Sequence, residues 1–224
     1  MEFFIDTANL DEIRELQDLG ILDGVTTNPS LMAKEGITGE ENIRKHYKTI
    51  CDIVDDKVSA EVISTDFEGI VREGEALAAI DDKIVVKVPM IREGVKAIKY
   101  LSSQGIRVNC TLIFSPGQAL LAAKAGAAYV SPFIGRLDDI AIDGVELIGQ
   151  IVNIFDNYGY GTEVLAASVR HTMHLIQCAE LGAHVATCPF KVIDGLFNHP
   201  LTDSGLEKFL SDHKKAASQA VGAH

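Results

Sequence analysis

Ile84-Val85-Val86-Lys87-Val88-Pro89 sets a single lysine in an otherwise apolar, β-branched run. The run reads as a strand of a parallel sheet buried on both faces, and such strands normally exclude charge. Lys87 therefore has two readings. Either it escapes to water at the strand end along its aliphatic stem, or its amine is used. A desolvated ammonium near other cations loses part of its preference for the charged form, and the freed amine condenses with a carbonyl as a Schiff base. The run by itself favours the first reading.

Working outward, short β-branched runs alternate with longer helical patterns along the whole chain, which is the pattern of βα units around a parallel sheet. The runs are Phe3 to Asp6, Gly24 to Thr27, Val58 to Ile63, Lys83 to Val88, Arg107 to Leu112, Ala128 to Ser131, Glu163 to Ala167 and His184 to Thr187. Caps and terminators mark the helices between them. Asn9 opens a helix over Leu10 to Gly20, Asn28 and Pro29 open the next, and a longer helix runs from Glu41 to Val54. Thr65 with Glu68 reads as a capping box for a helix through Ala79. Further helices are predicted at Arg92 to Ser103, from Ser115-Pro116 to Gly126, at Gly144 to Asn157 and at Arg170 to Leu181. Pro189 opens a short helix before the last one, from Asp203 to about Ala220.

Eight strand-helix units in 224 residues predict a single-domain (β/α)8 TIM barrel over 1–224, with 203–224 as an additional C-terminal helix. A doubly wound open sheet is the alternative. It is disfavoured because no Gly-x-Gly-x-x-Gly follows the first strand, and because evenly repeated units suit closure.

The formal net charge of -12 excludes a broad nucleic-acid or anionic-membrane surface, so any phosphate site must be local. The chain opens straight into Phe3-Phe4-Ile5-Asp6, and no apolar run is long enough to span a bilayer. A cytoplasmic protein is expected. Cys51, Cys110, Cys178 and Cys188 form no close pair, which points to reduced buried thiols. His171 and His174 could share a helical face, but no third ligand is nearby, so no metal is expected and a partly exposed face is the reading.

In a barrel the site forms at the carboxyl ends of the strands. The residues there are unusually polar: Asp6, Thr26, Thr27, Asn28, Glu61, Lys87, Asn109, Thr111, Ser131, Arg136, Ser168 and Arg170, with Phe133 among them. Each has a plain structural reading. Asn28 serves as a helix cap, Asp6 and Thr27 satisfy turns, and Arg136 pairs with Asp138 or Asp139 at the surface. Glu61 resists this treatment, because strand alternation points it inward and a buried carboxylate needs a partner. Lys87 and Asp6 on nearby strands can form one polar cluster with it, as proton-shuttling amine chemistry requires. Two arginines and Ser168 at one side of the mouth suit a phosphate dianion, and so a sugar phosphate.

Taken in order, Phe4-Ile5-Asp6-Thr7, Gly24-Val25-Thr26-Thr27-Asn28-Pro29-Ser30, Val85-Val86-Lys87-Val88-Pro89, Asn109-Cys110-Thr111-Leu112, Ser131-Pro132-Phe133-Ile134-Gly135-Arg136 and Ala166-Ala167-Ser168-Val169-Arg170 resemble the transaldolase family. The likeness is to its short microbial branch, which includes fructose-6-phosphate aldolase, and it covers nearly the whole chain. The resemblance implies that Lys87 forms the Schiff base with a ketose phosphate and that Asp6 handles protons during carbon-carbon cleavage. It implies that Glu61 and Thr111 hold a catalytic water. Asn28, Asn109 and Ser131, with Thr26 in the same motif set, match positions around the dihydroxyacetone fragment. Arg136, Ser168 and Arg170 match the phosphate-binding positions, and no metal or organic cofactor is implied.

The aldolase branch typically carries glutamine where Glu61 stands and tyrosine where Phe133 stands. A phenol near the enamine can protonate and release the fragment, whereas a phenyl ring has no proton to give. The resemblance therefore favours transfer to an aldose phosphate over release of dihydroxyacetone. A non-catalytic sugar-phosphate-binding barrel is the reading from another class, and the intact set Lys87, Asp6, Glu61 and Thr111 speaks against it. By resemblance again, the terminal helix is expected to pack on a neighbouring subunit of a pentameric or decameric homo-oligomeric ring, and the reaction to belong to the pentose phosphate network.

Overall fold

The computed structural model describes residues 1–221. The strands β1 (Glu2–Asp6), β2 (Gly24–Thr26), β3 (Lys57–Glu61), β4 (Ile84–Pro89), β5 (Val108–Ile113), β6 (Tyr129–Pro132), β7 (Glu163–Ala166) and β8 (Val185–Cys188) pair in that order, all parallel. β8 then pairs back onto β1, with Glu2 opposite Val185, and closes the barrel. Closure rules out the open-sheet alternative. Each strand lies within about two residues of its predicted place, which is the ordinary scatter of element ends.

Around the barrel run α1 (Leu10–Asp18), α2 (Pro29–Lys34), α3 (Glu40–Ile53), α4 (Phe67–Ala78), α5 (Arg92–Ser103), α6 (Pro116–Ala125), α7 (Ile134–Asp138), α8 (Gly144–Tyr158), α9 (Thr172–Glu180) and α10 (Phe190–Asp194). A 3-10 turn, Gly195–Phe197, leads to α11 (Pro200–Val221). Asn9, Asn28 and Ser115 cap α1, α2 and α6 as predicted, and Gly126 ends α6 in the left-handed region. Two starts differ. The box of Thr65 and Glu68 is not used, because Asp66 one residue on accepts the N–H of Gly69 at 2.8 Å. The helix expected from Arg170 starts at Thr172 with His171 as its cap. The predicted terminal helix is α11, and residues 222–224 of the predicted span lie outside the described ones.

Strand alternation divides the core in two. Ile84, Val86 and Val88 face outward into the large cluster between sheet and helices, while Val85 faces inward with Phe4, Tyr129, Leu165 and Val185. These inner residues form an apolar plug across the barrel, the packed interior expected of the fold. Gly24 makes room for it, since a Cβ there would meet the Phe4 ring at 2.6 Å and the Lys57 carbonyl at 2.8 Å. At the amino-terminal end Lys57 pairs with Glu2 at 2.7 Å and lies over the Phe4 ring. Asp6, Glu61 and Lys87 lie at the opposite, carboxyl-terminal end.

All four cysteines are unpaired and buried, and burial pushes the Cys110, Cys178 and Cys188 thiols up to about 12. They behave as small apolar core residues. Among the described residues no helix is long and apolar enough to cross a membrane, and no group of acidic, histidine and cysteine side chains is placed to hold a metal ion.

Candidate active site

The plug fixes what lies above it. Two residues beyond Phe4, Val85, Tyr129 and Val185 come Asp6, Lys87, Ser131 and Thr187, and the strand period of two turns them to the same interior. This is why Lys87 does not reach water along its strand: it is only 6% exposed. Glu61, Lys87 and Asn109 stand at one level on adjacent strands, as do Asp6 and Thr26. A polar layer therefore sits directly on the apolar plug.

Within the layer, Lys87 Nζ lies 3.2 Å from Glu61 Oε2, and both side chains are largely buried. Asp6 accepts a hydrogen bond from the Thr26 hydroxyl at 2.7 Å, and Thr26 meets the Thr187 hydroxyl at 2.6 Å. Since the Thr26 proton points to Asp6, Thr187 must be the donor to Thr26. Burial pushes the Asp6 carboxyl above the ordinary aspartate range, against the Lys87 charge and the Thr26 bond, which both pull it down. A second chain joins β3, β5 and β6: Ser131 donates to Asn109 Oδ1 at 2.7 Å, and Asn109 donates to Ser59 at 3.4 Å. The hydroxyl of Thr111 is buried with no hydrogen-bond partner among the described residues. Asn28 caps α2 through Oδ1 at 3.0 Å, so its amide nitrogen is the group left to reach a ligand.

The remaining candidates gather on one side of the rim. Phe133 bridges to Ala167, the N–H of Ile134 donates to the Ala167 carbonyl and that of Gly135 to the Ser168 carbonyl, so the segments after β6 and β7 are zipped together. Glycine at 135 is required by this approach, because a Cβ would lie 2.4 Å from the Ser168 oxygen. Ser168 itself has φ +58°, a conformation that serine adopts only when its surroundings impose it. Arg170 pairs with Asp139 at 2.6 Å and reaches the Gly135 carbonyl at 3.3 Å. Arg136 lies over the Phe133 ring, 5.7 Å from its centroid, and Phe133 packs edge-on against Phe114. The pairing expected between Arg136 and Asp138 or Asp139 is not formed, because Arg170 and His174 hold those carboxylates.

Glu61 also borders a cavity of about 410 Å³ between α3 and α4, lined by Arg44, Tyr47, Arg72 and Glu73. Lys87, Asp6 and the rim arginines are not in it. Lys87, Glu61 and Asp6 converge instead on the barrel mouth, which is the candidate site.

Residues 3–222 match the family model described as Transaldolase/Fructose-6-phosphate aldolase. The chain belongs to that family. A "probable transaldolase" of Cytophaga hutchinsonii is 77% identical over 215 residues, covering 96% of this chain and 99% of that one. Those of Porphyromonas gingivalis and Bacteroides thetaiotaomicron are 69% and 68% identical, each over 96% of this chain and 98% and 99% of their own. Among solved structures, a thiamine phosphate pyrophosphorylase of Pyrococcus furiosus superposes with a TM-score of 0.59 at 14% identity, covering 84% of this chain and 85% of that one. That likeness speaks to the barrel alone.

In this member of the transaldolase/fructose-6-phosphate aldolase family, five residues outside the expected set also touch it: Thr187, Ser59, Asp139, His174 and Phe114. Thr187 ends the eighth predicted strand and Ser59 shares the inward alternation with Glu61, so strand position signals both. It does not signal Asp139, His174 and Phe114. They reach the rim from a short helix, a helix face and a loop, and only the folded chain brings them to Arg170 and Phe133.

Proposed function

We propose that this chain is a transaldolase that moves a dihydroxyacetone unit from a ketose phosphate to an aldose phosphate through a Schiff base on Lys87. The observation that carries the reading is a buried amine, Lys87, flanked by Glu61 at 3.2 Å and by the desolvated Asp6, with an arginine-bearing rim on one side. Attack of the neutral amine on the ketose carbonyl, with loss of the carbonyl oxygen as water, gives an iminium. The iminium withdraws electrons from the adjacent carbon-carbon bond, which breaks to leave an enamine on Lys87 and an aldose phosphate. The hydroxyl proton released in that cleavage goes to Asp6, and burial raises the affinity of its carboxylate for it. Glu61 and the unpartnered Thr111 hydroxyl serve the water that enters and leaves the imine. Asn28, Asn109, Ser131 and Thr26 hold the three-carbon unit, and Arg136, Ser168 and Arg170 hold the phosphate.

Phe133 has no proton to give to the enamine, which favours transfer to an aldehyde acceptor over discharge of free dihydroxyacetone. Borohydride reduction with fructose 6-phosphate is expected to fix a three-carbon adduct on Lys87, and a coupled assay to require erythrose 4-phosphate. A Lys87→Ala protein with full transfer activity refutes the Schiff-base reading, and abundant free dihydroxyacetone without acceptor refutes the transfer reading. Its substrates are charged metabolites that do not cross bilayers, so we place the enzyme in the cytoplasm. We also propose a homo-oligomer built on α11, in keeping with the ring expected from the family resemblance. The exposed Leu206, Phe209 and Leu210 on that helix support it.

A further inference from the structure

His171 and His174, which the proposed chemistry leaves without a role, stand beside the anion end of the site. His171 is exposed as its spacing suggested, but His174 is only 6% exposed and turns inward. Its Nδ1 accepts the backbone N–H of Arg170 at 3.3 Å, and its Nε2 lies 3.1 Å from Asp138 Oδ2. A ring nitrogen that accepts carries no proton, so the neutral imidazole holds its proton on Nε2 and donates to Asp138. Asp138 is fixed in turn by the N–H of Gly144 at 3.0 Å. His171 caps α9, with its Nδ1 accepting the His174 N–H at 3.2 Å and its ring centroid 3.7 Å from that of His174, the two rings tilted by 45°. Arg170 is thus held at both ends: its main chain by His174, and its guanidinium by Asp139 and the Gly135 carbonyl.

We propose that His174, oriented by Asp138, is a positioning residue that sets the Ser168–Arg170 segment for phosphate, and that it does so only as the neutral imidazole. The proposal rests on the reading that Arg170 and Ser168 bind the substrate phosphate. A second proton would sit on Nδ1 and oppose the Arg170 N–H, donor against donor. The backbone that carries the left-handed Ser168 would then lose one of the contacts that hold it. Burial first, then the charges of His171 and Arg170, hold the imidazole below the ordinary histidine range, against the pull of Asp138 and Asp143. Neutral His174 therefore prevails at physiological pH, and the segment loosens on acidification.

The test is KM and kcat for fructose 6-phosphate between about pH 5 and about pH 8, in wild type, His174→Gln, His174→Leu and Arg170→Gln. A glutamine amide offers one acceptor for Arg170 and one donor for Asp138 and does not titrate, whereas leucine offers neither. His174→Leu is expected to raise KM by about five- to tenfold, the worth of one hydrogen bond, with kcat unchanged. His174→Gln is expected to keep the neutral-pH KM and to lack part of the acid-side rise seen in wild type. The substrate phosphate also titrates near about pH 6, but it does so identically in both proteins. Equal acid slopes in wild type and His174→Gln overturn the proposal, and this comparison decides even if His174→Leu does not fold. An unchanged KM in a folded His174→Leu protein overturns it as well. If Arg170→Gln leaves KM unchanged, the phosphate reading itself falls; if Arg170→Gln raises KM while His174→Leu does not, only the positioning role falls.

Discussion

Lys87 Nζ and Glu61 Oε2 lie 3.2 Å apart on neighbouring strands at the same level of the barrel, where Lys87 is almost wholly buried. The carboxylate gives the buried lysine an ion-pair partner, and in the proposed reaction it would take the proton that the attacking amine must lose. Glu61→Gln keeps the shape and removes that base. We expect kcat to fall by about 10²-fold or more, while slow borohydride trapping still labels Lys87. An unaltered kcat would show that Glu61 only neutralises charge.

Asp6 faces the opposite demand. Its folded-state pKa is raised, chiefly by burial, so the unfolded chain ionises it more easily than the folded one. Any stability from this group is therefore full below the ordinary aspartate range and is lost as pH rises through the raised value. Asp6→Asn removes the desolvated charge and still accepts from Thr26. It is expected to melt higher than wild type at neutral pH, with the gap closing on acidification, and to lose about 10²- to 10⁴-fold in kcat. A lower melting temperature at neutral pH would contradict this account of a site that exchanges stability for function.

The barrel and the Lys87 cluster were legible in the sequence for one reason. A buried parallel strand shows its alternation and its interrupting polar residue in the same few positions, as Val85, Lys87 and Pro89 do against Val86 and Val88. Strand-end polarity marked Asp6, Asn109 and Ser131 by the same rule. What surrounds the rim was not legible, because it depends on helices meeting loops at long sequence distance. The spacing of His171 and His174 suggests a shared helix face, yet one ring caps the helix and the other turns inward to Arg170 and Asp138. Asp66 displaced Thr65 as a cap for a more local reason: a single-residue shift in start gives a carboxylate the same three-residue reach to an N–H.

Thr187 acts on Asp6 through Thr26. Donation from Thr187 polarises the Thr26 hydroxyl, which strengthens its bond to the Asp6 carboxylate. Thr187→Val removes that donor, so the Asp6 pKa is expected to rise further and the acid limb of the pH–rate profile to move to higher pH. We expect kcat near neutral pH to fall about three- to tenfold, and Thr187→Ser to restore both. A profile that does not move would leave Thr187 a packing residue.

Arg170 and Asp139 form a half-exposed pair, with side chains 50% and 55% accessible. Such a pair contributes under about 1 kcal/mol to stability, but under the proposed phosphate role of Arg170 its carboxylate would compete with an incoming phosphate for the same guanidinium. Asp139→Ala is expected to leave the melting temperature nearly unchanged and to lower KM for phosphorylated donors about two- to fivefold at low salt, with less effect at high salt. Arg170→Gln is expected to raise KM about ten- to hundredfold. If Asp139→Ala instead raises KM, the carboxylate orients Arg170 and does not compete for it.

α11 carries large, exposed apolar side chains. Leu206, Phe209 and Leu210 recur at helical spacing and are 57%, 73% and 54% exposed in the isolated chain. Side chains of this size gain roughly 1.5–3 kcal/mol each when buried, which is enough for three of them to hold a subunit contact. Phe209→Glu places a charge in the middle of that face, and truncation after Thr202 removes the face entirely. Both are expected to lower the mass of the assembly in solution, measured by light scattering, while the (β/α)8 barrel keeps its circular dichroism. Because none of the candidate site residues comes from α11, the separated subunits should still form the borohydride-trapped adduct on Lys87. An unchanged mass in both variants would mean that subunits meet elsewhere on the barrel, or that the protein acts alone.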